Sequence, residues 1–217
     1  GVGINDGCGN VIQGNLIGTD ATGTNAIPNH YGGIGIVGRD SLTNVIGGAV
    51  PAARNVISGN TYAGIQVGDG SRGHVIQGNF IGTDITGTNN LRNGGWGVKI
   101  DNGSQIQVGG LDPGMGNTIA FNGANNEGGV WVNAGTGNAI LGNSIHDNGS
   151  LGIDLKPFGV NTNDPGDADT GPNLRQNFPV LVSAISTLAG LRVSGTLNTV
   201  PNASGIILEF FANAACD

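Results

Sequence analysis

The sequence predicts an all-β fold: a parallel β-helix of about five to six turns, with three short strands per turn, followed by a β-stranded tail. Three observations lead to this prediction. A six-residue pattern returns at intervals of 64 residues, and two columns of Asn and Ile run unbroken through five successive units. The chain is also rich in turn-forming residues, with 43 Gly and 28 Asn among 217 residues.

The repeat is visible at residues 10–15, 74–79 and 138–143. A related unit with different loops lies between each pair, so the period of 64 residues is two turns of about 32 residues. Each turn contains one Gly-apolar-x-apolar segment and two Asn-x-Ile segments, which alternate with the period of a strand. Such short strands are stable only when the equivalent strands of successive turns pair, as in a solenoid.

The third segment of each turn carries the two unbroken columns. Its asparagines are Asn15, Asn55, Asn79, Asn117 and Asn143, and its isoleucines are Ile17, Ile57, Ile81, Ile119 and Ile145. We expect the isoleucines to stack inside the solenoid, where each contributes roughly 1.5–3 kcal/mol. We expect the asparagines to form a corner ladder, because a side-chain amide can bond the backbone and the same amide one turn away.

Charge is scarce and mostly acidic. Only 11% of the residues are charged, against about 25% in an average soluble domain, and the net charge is −7. An acidic chain with two lysines does not suit a nucleic-acid-binding protein. No stretch approaches about 18 uninterrupted apolar residues, the minimum for a spanning helix. The sequence therefore predicts neither a nucleic-acid partner nor a membrane span.

Loops alternate between two corners. Residues 18–24 and 82–88 form long loops after the third strand of turns one and three, whereas turns two and four carry insertions at 47–54 and 109–116. Loops of the same type should lie about two rung spacings, roughly 10 Å, apart. An outward apolar stripe accompanies them, and the long loops either cover it or leave it to a partner. The stripe consists of Val11, Val45, Val75, Leu16, Val56 and Phe80.

Candidate chemical groups are few, and we assign no catalytic residue. Asp20 and Asp84 stand among threonines in the long loops, a composition typical of self-bonded Asx turns rather than of a sugar or metal contact. His74 replaces one corner asparagine, and the pair His146–Asp147 is expected in a solvated turn. We leave open whether the chain is an enzyme, and the sequence favours a protein without catalytic activity.

The best candidate for an ion site is the segment 161–171. Five oxygen-bearing side chains lie close together there, with glycines that permit sharp turns, which suits a hard cation such as Ca²⁺. These side chains belong to Asn161, Asn163, Asp164, Asp167 and Asp169. Their order does not match an EF-hand, so two interpretations stay open, a calcium site and an Asx-turn cap. No other cofactor is indicated.

Several segments resemble one family. Residues 17–24, 55–60, 152–155, 163–173, 176–181 and 208–213 are similar to stretches of secreted bacterial right-handed parallel β-helix repeat proteins, which have the pectate-lyase-like superfold. The resemblance implies a right-handed helix and an extracellular or cell-surface location. It brings no catalytic motif, and the paired-Asp and basic-residue signatures of pectate lyases and polygalacturonases are not matched. In this family the segment after the helix looks like the start of a β-sandwich.

We therefore expect three parts in the chain. A parallel β-helix occupies 1–158, an Asp/Asn/Pro-rich cap or linker occupies 159–178, and a β-stranded tail occupies 179–217. The tail should contain strands near 180–185, 191–197 and 206–212, which start a sandwich-like domain or serve assembly.

The main functional hypothesis is an extracellular structural or adhesive rod. Its first strand begins at Gly1 without a polar cap, so we expect either that an upstream segment was removed or that another molecule covers the edge. In the second case copies would stack end to end into a filament, and an intermolecular disulfide between Cys8 and Cys216 could link them. The alternative is a polysaccharide-binding module, or a polysaccharide lyase or hydrolase on the same scaffold. A binding module would show exposed aromatic residues along one face, for which Trp131 and Tyr62 are the candidates. An enzyme would show a groove lined by acids and a basic residue.

Overall fold

The computed structural model describes residues 1–124, 126–199 and 206–211. Within them, sixteen short strands lie in three parallel sheets, which form the three faces of a β-solenoid. Two further strands form an antiparallel hairpin near the carboxyl end. The predicted parallel β-helix with a β-stranded tail is therefore confirmed. No helix in this described part is long and apolar enough to cross a membrane.

Strands are numbered in chain order, and each sheet takes one strand from every turn. Sheet A contains β1 (Val2–Asn5), β4 (Ile34–Val37), β7 (Ile65–Val67), β10 (Val98–Ile100), β13 (Val130–Val132) and β16 (Ile153–Leu155). Sheet B contains β2 (Val11–Ile12), β5 (Val45–Gly47), β8 (Val75–Gln77), β11 (Gln107–Gly109) and β14 (Ala139–Leu141). Sheet C contains β3 (Leu16–Ile17), β6 (Val56–Ile57), β9 (Phe80–Ile81), β12 (Thr118–Ala120) and β15 (Ser144–His146). The hairpin consists of β17 (Val180–Thr187) and β18 (Gly190–Thr196), and short 3-10 turns lie at Pro51–Ala53 and Pro172–Arg175.

Each solenoid strand pairs in parallel with the equivalent strand one turn on, so equal positions stack along the axis. In sheet C, Ile17 pairs with Ile57, Ile57 with Ile81, Ile81 with Ile119, and Ile119 with Ile145. The first four isoleucines are buried in the central core, as predicted. Ile145 is only partly buried, because the described chain adds no complete turn beyond it.

The predicted asparagine ladder stands at the corner between sheets B and C. The backbone amide and the Nδ2 of Asn79 both donate to Oδ1 of Asn117, at 2.9 and 3.0 Å. The same Nδ2 donates to the Ile46 carbonyl, one turn back, at 3.0 Å. Equivalent bonds join Asn15 to Asn55, Asn55 to Asn79, and Asn117 to Asn143. Each side chain therefore satisfies buried backbone groups and ties its turn to the next.

A second ladder, which the sequence interpretation missed, stands at the corner between sheets C and A. Asn60 donates from its backbone amide and its Nδ2 to Oδ1 of Asn93, at 3.1 and 2.8 Å. Asn93 donates to Asn122, and Asn122 donates to Asn148. The signal is hidden in the sequence because the long loop of turn three separates Asn93 from its strand, whereas the other three follow theirs closely.

A third, interrupted ladder stands at the corner between sheets A and B. Asn10 donates to Oδ1 of Asn44 from both its backbone amide and its Nδ2. The backbone amide of Asn44 donates in turn to Nδ1 of the fully buried His74, at 3.1 Å. Ile106 occupies the next position and breaks the series, because its side chain has no amide. The ladder resumes one turn on, where the backbone amide of Ile106 donates to Oδ1 of Asn138. His74 therefore occupies a corner-asparagine position, as predicted.

The long loops of turns one and three cover the outward apolar stripe of sheet C. The loop of turn three lies against the Phe80 ring, and Val56 is buried. On sheet B the stripe is open, and Val11 is 60% exposed. The predicted separation of roughly 10 Å between the two long loops is wrong at their tips. There the Ile85 amide of the second loop donates to the Gly23 carbonyl of the first at 3.0 Å. Turn two carries no loop at this corner, so the loops on either side of it meet directly.

The segment after the solenoid covers part of the last turn. Asn173 extends the third ladder, because its Oδ1 accepts from the Asn138 amide at 3.0 Å and its Nδ2 donates to the Asn138 carbonyl at 2.8 Å. Glu209 Oε1 accepts a hydrogen bond from the Gly142 amide at 2.8 Å. These residues lie at the end where a second copy would stack in the predicted filament. End-to-end stacking stays a prediction.

The described tail is a two-stranded ribbon. Its strands match the two predicted near 180–185 and 191–197, and most of their side chains are exposed. The third predicted strand, near 206–212, is wrong for residues 206–211, which form no strand. Residue 212 lies outside the described residues.

Candidate functional site

The outer face of sheet A differs from one turn to the next. Its central outward positions, paired in register from turn to turn, are Gly3, Gly35, Gln66, Lys99, Trp131 and Asp154. A methyl group added to Gly3 or Gly35 would meet nothing within 4 Å, so this part of the face is flat and open. The face thus changes along the axis from bare backbone to polar side chains and then to an aromatic ring.

A cavity of about 210 Å³ lies on this face, and we call it the sheet A groove. It spans the third and fourth turns, whose strands there are β7 and β10. It is lined by Tyr31, Tyr62, Ala63, Gln66, Gly95, Trp96, Lys99 and Glu127. The groove therefore combines aromatic rings, one amide, one ammonium group and one carboxyl group.

Two exposed tyrosines stand at one edge of the groove. Tyr31 is 87% exposed and Tyr62 is 56% exposed. The His30 ring meets both of them edge to face, with centroid distances of 4.9 Å to Tyr31 and 6.2 Å to Tyr62. The predicted exposure of Tyr62 is confirmed. Tyr31 was missed because it lies in a loop, where strand periodicity gives no signal.

The polar residues of the groove are fixed by one carboxylate. Asp101 directly follows β10, and its two oxygens hold different partners. Lys99 Nζ lies 3.1 Å from Asp101 Oδ1, and Gln66 Nε2 donates to Asp101 Oδ2 at 2.6 Å. Lys99 Nζ also lies 5.4 Å from the centroid of the Trp131 ring. The ammonium and amide groups are therefore held in place before any ligand arrives.

Glu127 also lines the groove, and it stands three residues ahead of β13. It lies at the same edge of sheet A as Tyr31 and Tyr62, which stand three residues ahead of β4 and β7. Burial raises the pKa of its carboxyl group, and the nearby Lys99 charge opposes that rise. A Cβ built on Gly95 would lie 3.3 Å from Glu127 Oε2, so the glycine leaves the carboxyl group room within the cavity. Sequence reasoning missed Glu127, because no residue type repeats at this position. The equivalent positions of the preceding turns hold Tyr31, Tyr62 and Gly95.

Trp131 is not the exposed ring that the sequence interpretation expected. It is only 8% exposed, because Phe158 from the following segment stacks on it with a centroid distance of 5.0 Å. Trp96 stacks on Trp131 at 5.7 Å. Among the described residues, Trp131 Nε1 is buried without a hydrogen-bond partner. This stack closes one end of the groove, and its exposed ring is that of Phe158 rather than Trp131.

Asp154 is the carboxylate at the end of the outward series, and it is shielded from solvent. The Gly159 amide donates to both of its oxygens, each at 3.2 Å. Burial raises the pKa of Asp154, and the Gly159 hydrogen bond acts in the opposite direction. Asp154 therefore holds the start of the segment after the solenoid rather than facing a ligand.

The loop aspartates form the self-bonded turns that their sequence predicts. Asp84 Oδ1 accepts from the Thr86 amide and hydroxyl, at 3.1 and 2.6 Å, and Oδ2 accepts from Asn89 Nδ2 at 2.8 Å. Although burial raises the pKa of Asp84, these hydrogen bonds outweigh it and lower the value to about 2. Asp20 makes the same contacts with Thr22 and Asn25, whose side-chain hydrogen bonds lower its pKa well below the usual range.

The predicted ion segment is held together by hydrogen bonds. Asn161 Nδ2 donates to the Leu155 carbonyl, and Asn163 exchanges two bonds with the backbone of Phe178. Asp164 accepts a hydrogen bond from the Ala168 amide, and Asp167 accepts one from the Asn177 amide. The Asp169 carboxylate approaches the Arg175 guanidinium group. Within the described ranges, no group of three His, Cys, Asp or Glu side chains is arranged to hold a metal ion. The contacts fit the Asx-turn cap, and calcium binding stays a prediction.

Two further predicted features lie away from the groove. His146 Nδ1 lies 2.7 Å from Asp147 Oδ2 in an exposed corner, which is the solvated pair that was expected. Cys8 is an exposed free thiol whose Sγ donates to the Asp40 carbonyl at 2.8 Å. Cys216 lies outside the described residues, so the intermolecular disulfide stays a prediction.

No family model, curated protein or solved structure matches this chain. The resemblance to secreted β-helix repeat proteins therefore stays a prediction, as does the extracellular location that it implies. The function has to be inferred from the groove itself.

Proposed function

We propose that this protein is an extracellular adhesive rod that binds saccharide chains along the sheet A groove without cleaving them. The observation that carries the proposal is the pairing of two exposed tyrosines, Tyr31 and Tyr62, with polar groups that are already fixed. A saccharide needs both kinds of partner, because its ring faces carry C–H groups and its rim carries hydroxyl groups. Aromatic rings with a polar edge suit the first need, and a few well-placed polar groups give orientation.

The fixed polar groups favour binding because little ordering remains to be done. Gln66 and Lys99 are long side chains, and each would lose rotamer entropy on meeting a ligand if it were free. Asp101 already holds both of them. The entropy cost of binding is therefore reduced, which is the usual benefit of a preorganised site.

The shape of the face suits an extended chain. Gly3 and Gly35 continue the outward series beyond the groove without side chains, so a polymer can lie flat against the backbone there. The asparagine ladders and the isoleucine core hold successive turns in register, which keeps this face straight and stiff. A rod of this kind presents one binding face at a constant orientation.

Binding is favoured over catalysis by the state of the acids. Glycoside cleavage by acid–base chemistry uses two carboxyl groups that flank the bond. The sheet A groove is lined by one carboxyl group, that of Glu127, which has no hydrogen-bond or ion-pair partner among the described residues. Asp101 lies outside the lining and is tied to Lys99 and Gln66. A single carboxyl group supports recognition more readily than cleavage.

The test is titration calorimetry of the purified protein with a panel of soluble oligosaccharides. We expect at least one class to bind, and the double variant Tyr31→Ala, Tyr62→Ala to weaken that binding at least about tenfold. Val11→Ala is the matched control, since it removes an exposed apolar side chain from sheet B, and its affinity should equal that of the wild type. Absence of binding to every class, or equal affinity of the tyrosine variant, would overturn the proposal.

A further inference from the structure

We propose that the sheet A groove selects basic saccharides, namely chains of amino sugars with free amines, and that Glu127 pairs with a sugar ammonium group. The inference rests on the proposed saccharide-binding function and names its ligand class. It is carried by the distribution of charge in and around the groove.

The cation of the groove is already neutralised. Lys99 Nζ forms its ion pair with Asp101 at 3.1 Å and lies over the Trp131 ring at 5.4 Å. Its charge is thus directed toward the edge of sheet A where the strands end. An acidic sugar would have to compete with Asp101 for this ammonium group, so uronate chains gain little from it.

The anion of the groove has no ion-pair partner among the described residues, although the nearby Lys99 charge partly offsets the effect of its burial. Glu127 lies at the opposite edge and takes part in no ion pair or side-chain hydrogen bond among them. Burial raises its pKa, which means that its charged form is poorly stabilised in the free protein. A ligand ammonium group within hydrogen-bonding distance would reverse this effect, because a charge-assisted hydrogen bond stabilises the carboxylate.

Further acids follow the strands of sheet A at the other edge. Asp6 directly follows β1, Asp69 follows β7, and Asp101 directly follows β10. Asp6 and Asp69 are exposed, and neither forms an ion pair with another described residue. Stacking the turns brings these carboxylates to one side of the face, at multiples of the strand spacing of about 4.8 Å. Arg39 follows β4 at the same edge, and Asp101 is already paired with Lys99. The attraction for a polycation therefore comes from Asp6, Asp69 and the net charge of −7 rather than from an unbroken acidic row.

The tyrosines fit the same ligand. Tyr31 and Tyr62 are exposed beside the cavity that Glu127 lines. An amino sugar presents a C–H face for stacking and an ammonium group that a tyrosine ring attracts through its quadrupole. A neutral sugar would use only the first of these contacts, and an acidic sugar would meet repulsion from Glu127.

The experiment compares four oligosaccharides of equal length by calorimetry, at low salt and about pH 6, where carboxylates are mostly charged. They are chains of glucosamine, N-acetylglucosamine, glucose and galacturonate. We expect glucosamine chains to bind at least about tenfold more tightly than the other three, and added salt to weaken this binding. Glu127→Gln should remove the preference for glucosamine chains, because this variant loses one charge-assisted hydrogen bond to the sugar ammonium group. Asp112→Asn, an equal charge change in the exposed loop between β11 and β12, should preserve it.

Each result separates the two proposals. If neutral chains bind as tightly as glucosamine chains and Glu127→Gln has no effect, the amino-sugar inference fails while saccharide binding stands. Tighter binding of galacturonate chains also overturns the inference alone. If no saccharide binds but a lysine-rich peptide does, both proposals fail and the groove is a peptide site. An unchanged urea midpoint for Glu127→Gln verifies that this variant is folded.

Discussion

The Nδ1 atom of His74 accepts a hydrogen bond from the backbone amide of Asn44 at 3.1 Å, where every intact corner ladder uses an asparagine oxygen. The imidazole is fully buried, and its Nε2 has no partner among the described residues. An asparagine at this position would offer an acceptor that never titrates. The histidine satisfies the same amide only while Nδ1 is unprotonated, so it makes one corner of the rod sensitive to pH.

We predict that the rod loses stability as the pH falls below about 6.5, the ordinary histidine pKa. Burial lowers the pKa of His74 in the folded protein. Just below the ordinary histidine pKa, the unfolded chain therefore binds a proton at His74 and the folded chain does not. Stability from this group is therefore present above the ordinary value and declines below it, by at most about 1.4 kcal/mol per pH unit. Urea unfolding at a series of pH values measures the slope.

The same series on His74→Asn supplies the decisive comparison. This variant should show a flatter profile just below the ordinary histidine pKa, because the titrating group is gone. His30→Asn is the control, since it removes an exposed imidazole and leaves the corner intact. Identical slopes for His74→Asn and the wild type would show that the corner histidine does not govern the acid response.

Asn117→Ala should destabilise the rod by about 2–4 kcal/mol. The side chain is buried, and its loss removes the acceptor for the Asn79 amide and the donor to the Ile76 carbonyl. Both groups then stay buried without partners. The urea midpoint gives the measurement, and the exposed Asn5→Ala should change stability by no more than about 0.5 kcal/mol. Equal midpoints for the two variants would mean that the ladder contributes little.

The ladder and the core were predictable because the parallel register places equivalent residues of successive turns next to each other. Asn117 and Ile119 recur two residues apart in every turn, and each residue of these columns meets its own kind one turn away. A pattern that repeats under such a constraint is visible in the sequence alone. The ladder through Asn93 escaped notice because a variable loop separates it from the strand that positions it.

The groove was not predictable for a related reason. Tyr31, Tyr62 and Glu127 each stand three residues before a strand of sheet A, but the residue type at this position differs from turn to turn, so no sequence repeat marks them. Their proximity arises only after stacking brings successive corners together. The burial of Trp131 likewise depends on Phe158, which arrives from the segment after the last strand of sheet A.

Alanine substitution should change the stability of the protein by very different amounts at two glycines with different surroundings. Gly82 has φ of +89°, and a Cβ there would collide with the Ala120 carbonyl and the Asn122 side chain. Gly82→Ala should therefore cost at least about 2 kcal/mol. Gly35 has open space around its Cβ position, so Gly35→Ala should change stability by no more than about 0.5 kcal/mol. Thermal unfolding compares the two, and a stable Gly82→Ala protein would contradict the tight corner geometry.

The aromatic stack offers a substitution that separates packing from hydrogen bonding. Trp131→Phe keeps a ring in contact with both Trp96 and Phe158 and removes an Nε1 that has no described partner, so it should cost less than about 1.5 kcal/mol. Trp131→Ala removes the ring and should cost about 3–5 kcal/mol. It should also remove the nearer of the two rings on which Phe158 stacks, and chymotrypsin cleavage after Phe158 should accelerate in this variant alone. If the Phe variant is as unstable and as readily cleaved as the Ala variant, the indole nitrogen has a role that stacking does not explain.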